Sequence, residues 1–213
     1  MTGQTIGKLH AQLSVPKTLR ILVIADINGF ELETTPEFQI GKDTKDEAFL
    51  AKFPMGQSPS FEASNGLCLA ESSAISIYIA ELKKDTTLFG KTPEDRAKVM
   101  QFIFNNDTQI EKHVSTILYP ILGYMKHNQD NEDLAYTYLD RNLTFYNNEL
   151  ATKEYLVADQ LTLADIFFFF NMLAPYKYFL SEERKTKFSN VTKFMDKFYK
   201  EEKFAKVLVH LNN

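Results

Sequence analysis

The hydrophobic spacing of this chain changes character once, and that change limits its possible folds more than any other feature. Up to about residue 82, short β-type apolar runs are interleaved with short helical ones. After a polar connector from Lys83 to Pro93, which holds Gly90 and Pro93, apolar residues recur at the spacing of long helices. Such a chain builds a small α/β domain followed by an all-helical bundle. We place the domains at residues 1–82 and 94–213, with 83–93 as linker.

Ile6 to Leu13 reads as a strand, and Pro16 opens a helix whose apolar face, Leu19, Leu22, Val23 and Ile24, runs up to Gly29. Phe30 to Thr34 alternates apolar and acidic residues as a second strand, and Asp43 to Lys52 has the polarity of a short exposed helix. Ser60 to Ala63 and Leu67 to Ala70 flank the turn Ser64-Asn65-Gly66, and Asn-Gly is the strongest short hairpin signal. A helix from Ser72 to Leu82 completes the order βαβαββα. Beyond the linker, helices are expected over 94–123, 132–150, 163–179, 182–200 and 202–210.

Charge and cysteine content remove several classes of function. Residues 1–82 carry 6 Lys+Arg against 10 Asp+Glu and the rest 18 against 18, so neither part has the basic surface of a direct nucleic-acid binder. Cys68 is the only cysteine, which excludes an intramolecular disulfide, a CxxC pair and a cysteine-based zinc site, and fits a reducing compartment. His10, His113, His127 and His210 have no ligand spacing, so no metal site is expected. Met1 to Gln12 lacks a signal-peptide core, and Ile166 to Phe170, broken off by Asn171 and Pro175, is a core helix and not a membrane span. The expectation is a cytoplasmic protein without a membrane partner.

Three clusters carry chemical information. Pro59 stands where the hairpin's first strand should begin, a place open to proline only at a strand start or edge, or as a cis bond that exposes the backbone of Ser58. Twelve residues on, Glu71-Ser72 lies at the junction of strand and helix. A serine there brings a hydroxyl and free N–H groups to a place where the helix dipole favours an anion. Glu71 beside it suits an ammonium group, so the pair is shaped for the zwitterionic end of an amino acid. In the helical half, Thr162 and Asp165 form a capping box, with Leu161 and Ile166 as hydrophobic staple. Its role is structural, and losing Asp165 should cost roughly 1 kcal/mol or more.

Gln57-Ser58-Pro59 followed at this spacing by Leu69 to Ile75 resembles the glutathione-binding core of the glutathione transferase superfamily. The resemblance implies a glutathione-transferase fold, with a thioredoxin-like N-terminal domain and a helical bundle. It also implies a glutathione site at Ser14, Gln57, Ser58, Pro59, Glu71 and Ser72, where Ser58 pairs with the cysteinyl backbone of glutathione. Conjugation needs the sulfur as thiolate, whereas a free thiol titrates near ~8.5. Ser14, two residues before Pro16, lies where serine-type transferases carry the hydroxyl that stabilises it, and is the candidate catalytic residue. Lys17 is a weaker candidate for holding the thiolate or the glycine carboxylate, because the dipole disfavours a cation in a first helical turn.

The segments Leu88 to Pro93, Gln101 to Asp107 and Tyr119 to Gly123 are similar to the transferase-like domain of elongation factor 1 gamma subunits, and Val15-Pro16-Lys17 to its fungal versions. That likeness implies a scaffold of the elongation factor 1B complex that docks its nucleotide-exchange subunit, with glutathione as ligand. The alternative is an active transferase that conjugates glutathione to electrophiles. Two departures stand out: Phe102 replaces the family's usual tryptophan, and the Lys-rich linker and second domain are missing after Asn213. An excised domain and a stand-alone relative both fit. Relatives imply a homodimer, formed by the helix after Ser72 against the partner's helix over Arg96 to His113.

Overall fold

A computed structural model describes residues 3–212. They form two compact units. The first runs to Thr86 and takes in the residues from Glu202 onward, and the second spans Thr87–Glu201.

In the first unit the order is β1 (Gln4–His10), α1 (Pro16–Asn28), β2 (Phe30–Thr34), α2 (Glu47–Lys52), β3 (Ser60–Ala63), β4 (Cys68–Leu69) and α3 (Ser72–Glu81). The described strands form one sheet in the order β2-β1-β3-β4, with β1 and β2 parallel and the other pairs antiparallel. This is the thioredoxin-like arrangement expected from the sequence, although β1 ends at His10 instead of Leu13 and β4 keeps only two paired residues. The expected helix over 43–52 is a 3-10 turn at Asp43–Lys45 followed by α2. The break falls at Asp46, whose carboxylate caps α2 by accepting the N–H groups of Ala48 and Phe49.

Pro16 at the first helical position of α1 gives up no hydrogen bond, and Gly29 closes the helix at φ 78°, a left-handed conformation costly for a residue with a Cβ. Leu19, Ile21, Val23 and Ile24 of α1 are fully buried, as are Ile75 and Ile79 of α3 and Leu9 and Phe61 of the sheet. Asn28 joins the ends of the two helices, its side-chain amide donating to the carbonyls of Ile79 and Ala80. A smaller cluster of Phe38, Phe49 and Phe53, with Cys68 against it, lies under α2.

The second unit holds α4 (Pro93–Asn105), α5 (Glu111–Ile121), α6 (Gln129–Glu149), α7 (Leu163–Tyr178), α8 (Glu182–Lys187) and α9 (Ser189–Lys200). The single helix expected over 94–123 is interrupted by a π-helical turn at Asn106–Ile110, and the one over 182–200 divides at Phe188. Thr92 and Asp95 start α4 with a reciprocal capping box that the sequence reading passed over. Ile166 to Phe170 of α7 are buried throughout, and Phe168 stacks on Tyr146 with ring centroids 3.8 Å apart. The last helix, α10 (Glu202–Leu208), belongs to the first unit and packs on α1. No helix among the described residues is long and apolar enough to cross a membrane.

Candidate functional site

Strand register explains how separated residues converge. Leu9 pairs with Phe61 and His10 with Ser60, so the chain leaving β1 toward Ser14 passes beside Pro59 and Ser58. Phe61 pairs with Leu69, and continuing that register by two residues brings Glu71 level with Pro59. One end of the sheet therefore gathers the turn before α1, the loop before β3 and the start of α3.

The Ser58–Pro59 peptide is cis. Ser58 is fixed to the end of β1 by its hydroxyl, which donates to the His10 carbonyl at 3.3 Å, and the Gln57 carbonyl accepts from the Ser60 hydroxyl at 2.9 Å. Gln57 itself is exposed and Pro59 is buried.

Glu71 is the N-cap of α3, at φ 66° and ψ 108°, with its side chain exposed and making no cap hydrogen bond. A non-glycine residue in that region stores backbone strain, which persists where the surrounding structure over-determines it. The first intrahelical bond of α3 runs from the Ile75 N–H to the Glu71 carbonyl, so the amides of Ser72, Ser73 and Ala74 precede it and face outward along the dipole. Ser72 is buried, and its hydroxyl oxygen accepts from Arg20 Nη2 at 2.9 Å; the same nitrogen reaches the Ser73 hydroxyl at 3.2 Å.

Arg20 is the residue that sequence reasoning missed. It is fully buried on α1 between Leu19 and Ile21, so a local reading takes it for an interruption of an apolar face. Its effect on Ser72 is chemical as well as electrostatic. A hydroxyl whose oxygen already accepts a hydrogen bond keeps its proton for another acceptor. With the guanidinium charge behind it, Ser72 is set to donate to an anion.

Ser14 lies in the turn just ahead of the α1 N-cap, which is Val15, so it is not itself the capping residue. Its hydroxyl oxygen accepts from Gln12 Nε2 at 3.1 Å, which again leaves the proton available. Lys17 is half-buried in the first turn of α1. The arrangement offers hydroxyl protons at Ser14 and Ser72, a helix N-terminus for a carboxylate, and the Glu71 carboxylate for an ammonium group.

Thr162 and Asp165 are fully buried at the start of α7. The Asp165 carboxylate accepts from the Thr162 N–H (2.9 Å), the Thr162 hydroxyl (3.0 Å) and the Leu156 N–H (2.8 Å). Burial nevertheless pushes its pKa up to about 6. Among the described residues no group of three histidine, cysteine or acidic side chains comes together to hold a metal ion.

Comparison with known proteins identifies the family of both units. Residues 7–81 match the glutathione S-transferase N-terminal domain family, and residues 110–202 the glutathione S-transferase C-terminal domain family. The chain is 34% identical over 205 residues to elongation factor 1-gamma-A of Xenopus laevis, covering 95% of this chain and 46% of that protein. It thus spans about half the length of the curated relatives it matches. Among solved structures, glutathione S-transferase-I bound with lactoylglutathione aligns at a TM-score of 0.82 and 23% identity, over 96% of this chain and 99% of the other. The GST-like domain of elongation factor 1-gamma from Saccharomyces cerevisiae aligns at 0.79 and 18% identity, over 97% and 93%. From the thioredoxin-like first unit to the helical second unit, the chain belongs to the glutathione transferase superfamily.

Proposed function

We propose that this chain is a transferase-like domain of elongation factor 1 gamma type, which acts as a scaffold of the elongation factor 1B complex and retains a glutathione-type pocket. The observation that carries this reading is the 32–34% identity to elongation factor 1-gamma proteins over 88–95% of the chain. The partner is the nucleotide-exchange subunit of that complex. The assembly is a homodimer through α3 and the helical stretch from Arg96 to His113, and the compartment is the cytoplasm.

The glutathione reading rests on the first unit. The γ-glutamyl carboxylate would take the Ser72 hydroxyl and the leading amides of α3, while Glu71 takes the ammonium group. The backbone of Ser58 would pair with the cysteinyl unit, and Gln57 and Pro59 shape the loop that presents it. In the second reading the chain is a working transferase. The available proton of Ser14 favours it, since a hydrogen bond to sulfur stabilises the thiolate by about 1.4 kcal/mol for each pKa unit it removes.

Calorimetric titration with glutathione, run beside a conjugation assay on wild type and Ser14→Ala, separates the readings. Binding without turnover supports the scaffold with a retained pocket. Turnover that collapses in Ser14→Ala, with glutathione affinity kept, makes the chain an enzyme. Absence of binding removes the retained pocket. Co-purification with the exchange subunit tests the scaffold directly.

A further inference from the structure

The turn between α5 and α6 ends their helical hairpin in a group of exposed apolar side chains. Ile121, Leu122, Tyr124 and Met125 are 51, 38, 74 and 59% exposed, and Tyr119 just before them is 39% exposed. A single exposed apolar residue needs no explanation, but several adjoining ones mark an interaction site.

The turn is closed by its own hydrogen bonds. The Gly123 N–H donates to the Pro120 carbonyl and the Tyr124 N–H to the Tyr119 carbonyl, a Schellman cap with Gly123 at φ 76°. The hydrophobic contact that accompanies such a cap is the edge-on pair of Tyr119 and Tyr124, with ring centroids 5.9 Å apart. The cap therefore accounts for these two tyrosines, whereas Ile121, Leu122 and Met125 have no part in it. A turn already closed presents its side chains in place, so less entropy is lost when a partner covers them.

The charges beside the patch are unbalanced. Asp130, Glu132 and Asp133 fall at the start of α6, against Lys126 and His127 ahead of it. Glu132 holds His127, and Asp133 accepts the neutral Gln129 amide at 2.8 Å. Among the described residues neither Asp130 nor Asp133 pairs with a cation. The α6 dipole favours acids at this end but does not neutralise them. Asp130 is followed at four-residue steps by Leu134, 54% exposed, and by Tyr138, which stacks on His113 of α5 at 4.9 Å. Acidic and apolar side chains thus share one outward face of α6, leading away from the turn.

We propose that residues 119–125, with the outward face of α6 over 130–138, are a docking surface for an amphipathic basic helix of a partner protein. Its apolar side would cover the patch, and its lysines or arginines would stand beside Asp130 and Asp133. The four-residue spacing on α6 suits the same spacing on a partner helix, and the unpaired acids select a basic flank. The proposal goes beyond the scaffold reading and does not rest on it. The test is an amide chemical-shift titration of the ¹⁵N-labelled protein with a peptide of leucine and lysine at helical spacing, and with its leucine–glutamate counterpart. Saturable shifts should concentrate in residues 119–138, and the lysine peptide should bind about tenfold tighter or more. Asp130→Asn and Asp133→Asn should each weaken it about two- to fivefold, the size of an exposed ion pair. Tyr124→Ser, at the most exposed of these apolar positions, should weaken it about tenfold while keeping the spectrum of the folded protein.

Equal affinity for the two peptides, shifts gathered in the first unit, affinity unchanged in Tyr124→Ser, or no saturable binding would each overturn the surface. Loss of a dimer in Tyr124→Ser on sedimentation would overturn it too, because a second copy of the chain would then cover the patch. A chain that binds the lysine peptide here and co-purifies with no exchange subunit keeps this surface and loses only the scaffold reading.

Discussion

Glu71 holds a backbone conformation that its Cβ disfavours, at the point where its carboxylate would meet a ligand. Replacing it with glycine removes that strain, worth on the order of 1 kcal/mol, and should raise Tm by about 2–4 °C for a chain of this size. The same change deletes the carboxylate, so calorimetry should show weaker glutathione binding in the more stable protein; a fall in Tm would mean that the Glu71 side chain supports the fold. Asp165 gives the opposite kind of test, because its cost depends on pH. Its pKa is raised in the folded state, so its contribution is complete below the unfolded value near 3.8 and is lost as pH rises through about 6. In urea unfolding, the stability gap between wild type and Asp165→Asn should therefore narrow from pH 4 to pH 7 by on the order of 3 kcal/mol. A gap that widens would mean that the three hydrogen bonds outweigh burial. Ser58-Pro59, Glu71, Ser72 and Asp165 stand out in the sequence because each has a local reason to be where it is. Arg20 has none: its meaning comes from serine hydroxyls 52 and 53 residues away.

Most helices and strands were legible from periodicity and end signals, and the exceptions have physical causes. The long helix expected from residue 94 gives way to a π-turn at Asn106–Ile110, which closes with the Glu111 N–H donating to the Asn106 carbonyl and is held by side chains of other helices. Asn171 of α7 reaches the Asn106 carbonyl at 3.4 Å and its side-chain oxygen at 3.3 Å. Tyr146 of α6 accepts from Asn106 Nδ2 and donates to Asn105 Oδ1, both at 2.9 Å. No pattern within residues 94–123 announces partners on α6 and α7. Tyr146→Phe keeps the ring stacked on Phe168 and removes only the hydroxyl, leaving Asn105 and Asn106 short of a partner. It should cost about 1–3 kcal/mol in denaturant unfolding and speed hydrogen exchange first at residues 106–110. Uniform acceleration across the second unit would show instead that the network supports the whole bundle and not the turn. By contrast, the Thr92–Asp95 box was present to be read, since Thr92-Pro93-Glu94-Asp95 places a cap, a helix-starting proline and an N3 acid in succession.

Where the end of the chain packs is a property of the whole molecule. The seven residues of helix α10 do not by themselves state which surface they cover. It joins the first unit through two kinds of contact. Phe204 is fully buried and Val207 nearly so, while Lys206 and Lys203 approach the Asp26 carboxylate at 2.5 and 3.1 Å. Their pull outweighs burial and holds the Asp26 carboxyl below the usual range. The magnitudes separate the two contributions. An exposed ion pair is worth about 0.2–1 kcal/mol and is screened by salt, whereas truncating a buried phenylalanine to alanine costs about 3–5 kcal/mol. Packing of Phe204 is therefore the main attachment, and the ion pairs to Asp26 add a smaller share. Phe204→Ala should release hydrogen-exchange protection over residues 202–208 and lower the stability of the first unit at every ionic strength. Asp26→Asn should produce a smaller loss that disappears near 1 M salt. If Asp26→Asn freed α10 as fully as Phe204→Ala does, the ordering would be reversed, and the ion pairs would be what keeps the chain's last helix on the thioredoxin-like unit.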